Sequence, residues 1–228
     1  MRLLLTNDDG IAAPGLEALR QAVRRLGEAT VLAPVAPCSS CSHQITTHRP
    51  VKVFTHGPRE IAVEGWPADC VRVGLRGLAV ETDWVLSGIN AGGNLGADVF
   101  LSGTVAAVRE AALLGKPGIA LSHYKRRDRE FDWDRAARWV EAIVVDLTRR
   151  PIEPGTFWNV NLPHPEANSP DPDVVFCPLD TNPLPVDYRR EGDGFVYVGN
   201  YHARPRHPGT DVQVCLAGGI AVSLLRLA

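Results

Sequence analysis

Two adjacent carboxylates, Asp8 and Asp9, follow the run Arg2-Leu3-Leu4-Leu5-Thr6-Asn7 and precede Gly10. Carboxylate oxygens are hard ligands, so a pair of them in one place suits Mg²⁺ or Mn²⁺ better than zinc. Neighbours in a strand point to opposite faces. Both acids can therefore reach one ion only where the chain has left the strand, a turn that Gly10 eases. The plainer alternative is that the pair caps the helix that follows, although two acids are more than capping needs. A second polar loop, residues 35–50, carries Ser39, Ser40, Ser42 and His43. Hydroxyls ligate hard metals and bond phosphate oxygens, but serines are also ordinary loop residues. A third loop runs from Ser87-Gly88-Ile89-Asn90 through Asn94 to Ser102-Gly103-Thr104, where a helix begins. Helix N-termini present unpaired N–H groups and partial positive charge, which favour phosphate. Gly103 allows an anion close to the backbone, and Asn90 offers a neutral amide oxygen to a metal. Taken singly, Ser102 and Thr104 would be N-caps and the glycines would be turns. Three polar loops that converge on one sheet edge are harder to dismiss as caps and turns than any one of them alone.

The elements that must position these loops follow from the pattern of apolar residues. Residues 2–6 read as a fully buried strand. A helix follows, with Pro14 in its first turn, Leu16, Leu19, Val23 and Leu26 at helical spacing, and Gly27 as its cap. Residues 29–33 form a second strand, 51–55 and 61–63 two more, and 67–78 a helix. Residues 83–87 form a strand, 104–114 a helix closed by Gly115, 118–122 a strand and 132–149 a long helix ended by Pro151. Strands that alternate with helices predict a parallel sheet covered on both faces. The expected fold is a doubly wound, three-layer, Rossmann-like α/β sheet, with ligands beyond the carboxyl ends of its strands. After a strand at 156–161 the pattern changes. Residues 173–178 and 186–199 read as hairpin material that turns at Gly192-Asp193-Gly194. The reading is one domain, 1–228, with an α/β core over 1–165 and a hairpin and C-terminal exchange region over 166–228. A hairpin with little core of its own predicts oligomerisation.

The chain has 228 residues, 45% hydrophobic and 22% charged, with a formal charge of −2. That is an ordinary globular composition, without the basic stripe that captures long nucleic acid. No apolar run is long enough to span a bilayer, and no signal peptide is evident. Five scattered cysteines are not a disulfide framework, so a reducing cytoplasm is the expected location.

With these residues in hand, the chain resembles the SurE (survival protein E) nucleotidases. The resemblance is carried by Leu4-Leu5-Thr6-Asn7-Asp8-Asp9-Gly10-Ile11 with Ala13-Pro14-Gly15, by Ser87-Gly88-Ile89-Asn90-Ala91-Gly92 with Asn94-Leu95-Gly96, and by Ser102-Gly103-Thr104-Val105-Ala106-Ala107. Pro67-Ala68-Asp69-Cys70-Val71, Asn159-Val160-Asn161-Leu162-Pro163 and Gly209-Thr210-Asp211-Val212 also fit it. It implies a metal-dependent phosphomonoesterase that acts on nucleoside 5′-monophosphates, often on 3′-monophosphates, and in some members on short polyphosphate. It implies one divalent ion per subunit held by Asp8, Asp9, Ser39 and Asn90, and phosphate contacts at Asn94, Ser102, Gly103 and Thr104. It also implies a homodimer or homotetramer that exchanges C-terminal elements. Two departures stand out. Ser40 occupies a position where the family has Gly, and the chain stops at Ala228, without the helical tail of longer members.

Asp8 and Asp9 are thus the candidate catalytic residues, either one able to take a proton from the attacking water. The alternatives are a non-catalytic nucleotide-binding module on the same loops, a receiver domain, and a redox or zinc role for Cys38-Ser39-Ser40-Cys41. A receiver domain needs an acceptor Asp after its third strand, where this chain reads Phe54-Thr55-His56-Gly57. One Cys-x-x-Cys in a loop, with no second pair, makes a poor zinc or thioredoxin-like site.

Overall fold

Leu3, Leu4 and Leu5 are all buried because the strand that carries them has helices over both of its faces. The structure is a computed structural model that describes residues 1–227. Its strands are β1 (Arg2–Thr6), β2 (Glu28–Pro34), β3 (Val53–Gly57), β4 (Glu60–Val63), β5 (Trp84–Asn90), β6 (Gly118–His123), β7 (Thr156–Leu162), β8 (Val174–Phe176), β9 (Tyr188–Glu191), β10 (Gly194–Tyr197) and β11 (Ile220–Arg226). Its helices are α1 (Pro14–Val23), α2 (Pro67–Arg72), α3 (Gly103–Leu113), α4 (Trp133–Leu147) and α5 (Asp211–Leu216). Nine strands form one sheet in the order β3-β4-β2-β1-β5-β6-β7-β11-β8, and β9 pairs with β10 apart from it. The six strands from β4 to β7 run parallel. β3 is antiparallel at one edge, and β11 is antiparallel to β7 near the other.

β1 is the strand from which the chain departs in both directions, to β2 on one side and to β5 on the other. A crevice opens at such a switch point beyond the carboxyl ends of the strands. Asp8 and Asp9 follow the end of β1, and Asn90 is the last residue of β5. α1 and α4 pack together on one face, through Leu16, Leu19, Val140 and Val144 among others, while α2 and α3 cover the other face. The units β5-α3-β6 and β6-α4-β7 step across the sheet in the same direction but carry their helices on opposite faces, so their hands are opposite. One hand dominates such crossovers. The exception leaves the α3 face of β7 and β11 to be covered by α5, whose Val212 and Cys215 pack with Leu95, Tyr124 and Ala221.

Several expectations shift. α1 ends at Val23 rather than running on to Gly27. Gly27 has φ +155° and lets Met1 approach so closely that a Cβ there would lie 1.8 Å from the Met1 carbonyl oxygen. The helix expected over 67–78 is α-helical only to Arg72 and widens to a π-helical turn over Val73–Gly77. Residues 174–176 belong not to the projecting hairpin but to the edge of the main sheet, beside β11. Their apolar side chains suited either place, and only the arrival of β11, much later in the chain, selects one.

Asp211 ties this late segment to the rest. Its Oδ2 accepts the Gly96 N–H at 2.7 Å, and its Oδ1 accepts those of Asp180 and Val212 at 2.7 and 2.8 Å, all in the interior. Asp211→Ala leaves these donors unpaired and is expected to cost about 3 kcal/mol or more. Urea unfolding would show this as a lower midpoint at an unchanged slope, and an unmoved midpoint would refute it.

Candidate active site

Asp8 is 5% exposed, and its carboxylate meets the N-terminus of α3. The Thr104 hydroxyl donates to its Oδ1 at 2.5 Å. This approach depends on Gly103: a Cβ there would lie 2.9 Å from the Asp8 Cβ and 2.6 Å from the Cys41 Sγ. Ser102 is the N-cap of α3, and its Oγ accepts the Val105 N–H at 3.1 Å. The Gly103 amide keeps the outward direction that first-turn N–H groups have. Asp9 turns the other way and accepts the Ala91 N–H at 3.0 Å, which links the first loop to the one after β5. Neither acid caps α1, whose N-cap is Ala13 with no side-chain hydrogen bond. The helix-cap alternative therefore fails.

Burial sets the electrostatics. It pushes the Asp8 carboxyl up to about 6, helped by the neighbouring charge of Asp9 and opposed by the hydrogen bonds from Thr104. Burial also raises Asp9, with the Ala91 N–H opposing. Two acids held at a cost in one crevice are a site that gains from a cation.

The other candidates are arranged around this pair. Asn90 donates its side-chain N–H to the Gly92 carbonyl at 2.8 Å, which leaves its amide oxygen for another partner. Ser39 is exposed and makes no hydrogen bond to the acidic pair. Its neighbour Cys38 donates its N–H to the Asp8 carbonyl at 2.7 Å, and that bond brings the second loop against the first. Ser40 and Ser42 both take left-handed backbone, with φ +57° and +53°. Ser40 thus adopts the conformation that a glycine takes freely, at a cost of about 1 kcal/mol. The loop is fastened beyond this point as well. Ser42 Oγ donates to the Phe100 carbonyl at 2.7 Å, and His43 Nε2 lies 2.8 Å from Oε2 of the buried Glu110 on α3, which Arg72 also engages at 2.6 Å.

Asn94 is 7% exposed and held from three directions. Its side-chain amide donates to Ser122 Oγ at 2.7 Å, its backbone N–H donates to Asn161 Oδ1 at 2.8 Å, and its carbonyl accepts from Asn159 and Asn161 at 2.9 and 3.0 Å. Sequence reasoning gave no role to Ser122, Asn159, Asn161 or Glu110. The signal for the asparagines was present: 159 and 161 fall on one face of a strand whose seven residues are all buried. Ser122 and Glu110 carried no such mark, since each is a single polar residue in an apolar element.

The donor set fits a hard divalent cation. One oxygen each of Asp8, Asp9 and Asn90 has no hydrogen-bond partner among the described residues. Those residues also hold no group of three or more His, Cys, Asp or Glu placed to bind a metal. The ligands on offer are therefore two carboxylates and neutral oxygens, a set suited to Mg²⁺ or Mn²⁺.

An open α/β sheet whose switch point sets a buried carboxylate against a helix N-terminus has the architecture of proteins that bind phosphate-bearing ligands in that crevice. Residues 3–182 match the family model described as Survival protein SurE. A relative from Nostoc sp. strain PCC 7120 is 51% identical over 227 residues that cover the whole of both chains. The 5′-nucleotidase SurE of Citrifermentans bemidjiense is 36% identical over 234 aligned residues, covering all of this chain and 93% of that protein. The crystal structure of the SurE protein from Aquifex aeolicus superposes with a TM-score of 0.88 at 32% identity, covering all of this chain and 94% of that one. The chain belongs to the SurE family.

The raised carboxyl of Asp8 has a measurable consequence. A folded-state pKa above the unfolded value favours folding below about pH 4, and that contribution is lost as pH rises through about 6. Without metal, Asp8→Asn is therefore expected to melt above wild type at about pH 7.5, with the gap closing as pH falls from about 6 to about 4. Paired melting curves in EDTA across that range check this, and a gap that widens towards acid would refute it.

Proposed function

We propose that this protein is a divalent-metal-dependent 5′-nucleotidase, which hydrolyses nucleoside monophosphates to nucleoside and phosphate. The observation that carries the reading is the buried Asp8 carboxylate set against the N-terminus of α3. It joins a place for a cation to a place for a phosphate. The Citrifermentans bemidjiense relative, itself named a 5′-nucleotidase, supports it. Activity on 3′-monophosphates and on short polyphosphate belongs to the same proposal, because both present a terminal phosphoryl group to the same donors.

Asp8, Asp9 and Asn90 would hold one Mg²⁺ or Mn²⁺ per subunit, with Ser39 from the second loop. The bound ion supplies charge neutralisation at the phosphoryl oxygens and makes water a better nucleophile. The chain's own groups do the rest. The Gly103 N–H receives a phosphate oxygen along the axis of α3, where the helix dipole favours negative charge, with Ser102 and Thr104 on either side of it. Asn94 offers a second side-chain N–H to another oxygen, and its triple anchorage lets it do so with little reorganisation. Asp9, the more exposed acid of the pair, would take the proton of the attacking water.

The assembly proposed is a homodimer or homotetramer. Tyr188, Phe195 and Tyr197 on the β9–β10 hairpin are 60%, 70% and 52% exposed, which supports a role for the hairpin between subunits. Five free cysteines support a reducing cytoplasm as the location. No helix of the described residues is long and apolar enough to cross a membrane.

Phosphate release from a panel of 5′- and 3′-monophosphates, with Mg²⁺, Mn²⁺ or EDTA, tests the reading. Release is expected with metal, none with EDTA, and a loss of about a hundredfold or more in kcat for a folded Asp9→Asn protein. Nucleotide binding without turnover in any metal would make the protein a binding module instead.

A further inference from the structure

The loop that ends at Asn94 leans on an aromatic cluster to which the proposed chemistry gives no role. A Cβ on Gly93 would lie 3.5 Å from the Tyr201 hydroxyl and 3.6 Å from Cδ2 of Tyr124. Tyr124 follows β6 on the face covered by α5, and its hydroxyl lies 2.5 Å from Nδ1 of His202. The two rings meet edge to face at 5.6 Å, and His202 meets Tyr201 in the same way at 5.9 Å.

His202 is exposed, yet its backbone and ring are both held. The Asn200 side chain accepts the N–H groups of His202 and Ala203. Tyr201 donates to Asp98 at 2.5 Å, and Arg204, itself buried, pairs with the same carboxylate at 2.8 Å. Fixing an exposed aromatic ring in one pose costs conformational entropy, which contact with a ligand would offset. A cleft of about 1130 Å³ opens beside it, lined by Tyr124, Arg126, His202, Arg206 and Gln213 among others. That is the scale of a small-molecule site. Arg206 makes no salt bridge among the described residues.

Tyr124 follows β6 at the same carboxyl edge of the parallel sheet at which Asp8 and Asp9 follow β1. β5 and β6 are the first and second neighbours of β1 on that side. Strands lie about 4.8 Å apart, so the end of β6 is about 10 Å from the end of β1.

We propose that His202, seated on Tyr124, is the platform on which the base of the substrate stacks, and that the cleft beside it receives the nucleoside. This rests on the nucleotidase reading and adds a specificity-determining residue to it. A base presents a π-face whatever its identity, so the platform would favour nucleotides over other phosphate esters without choosing strongly among bases.

The test compares a nucleoside 5′-monophosphate with ribose 5-phosphate, which carries the same sugar phosphate but no base, in wild type, His202→Ala and His202→Phe. His202→Ala is expected to raise KM for the nucleotide by about tenfold and to leave kcat/KM for ribose 5-phosphate within about twofold. His202→Phe, which keeps a flat ring, should recover most of the loss. An unchanged nucleotide KM in His202→Ala overturns the proposal. So does an equal loss on both substrates, which would mark a structural role, and so does a failure of His202→Phe to recover. A wild type that releases phosphate from neither substrate overturns the nucleotidase reading itself, and this one with it.

Discussion

A carboxylate taken out of water at the end of a parallel strand is costly unless something nearby offsets its charge. In this fold Asp8 stands in that position, and its surroundings answer to it. The Thr104 hydroxyl and the N-terminus of α3 supply part of the compensation. They can do so because Gly103 lets the helix approach to a distance that any side chain would forbid. The compensation is incomplete, since the carboxyl remains well above the usual range. The residual cost is what a divalent cation would relieve, so the strain of the site without metal would be one source of any affinity for a hard ion.

The loops around Asp8 are fixed by contacts that span most of the chain. Asp98 receives Tyr201 and Arg204, and Asp211 receives Gly96 and Asp180. These buried charged groups bind the loop after β5 to segments far later in the sequence. On the other side, Glu110 gathers His43 and Arg72, which fastens the second loop to α3 and α2. A site made of three loops would ordinarily lose precision through loop motion. Here the loops that bear Asn90, Asn94 and Ser39 are tethered by networks of paired polar groups, which rigidify what they join.

The opposite hand of the α4 crossover has a place in the same scheme. Because α4 packs with α1, the α3 face beyond β6 is free for α5 and for the turn at Tyr201–Ala203. The C-terminal segment, which looks in the sequence like an appendage, thereby reaches the edge of the crevice. β11 enters the main sheet between β7 and β8.

The candidate site residues stand out in the sequence because local rules mark them. An acidic pair after a buried strand, glycines where the backbone must turn, and a Ser-Gly-Thr ahead of a helix each reflect contacts within a few residues. Strands and helices of the core were legible for the same reason, since burial on one or both faces imposes its own period. Strand order was not, because β1 pairs with β5 across a long stretch of chain and no short-range pattern records that choice. Nor were the contacts of Ser122, Glu110, Tyr124 and His202. Each is a lone polar or aromatic residue whose meaning comes from a partner distant in the chain. The placement of β8 was equally undetermined, for three apolar residues suit a hairpin or a sheet edge alike. Sequence by itself determined which groups could bind metal and phosphate. Tertiary structure decided which of them meet, because only the packed sheet brings the carboxyl ends of β1 and β5, the start of α3 and the turn at His202 to one side of the molecule.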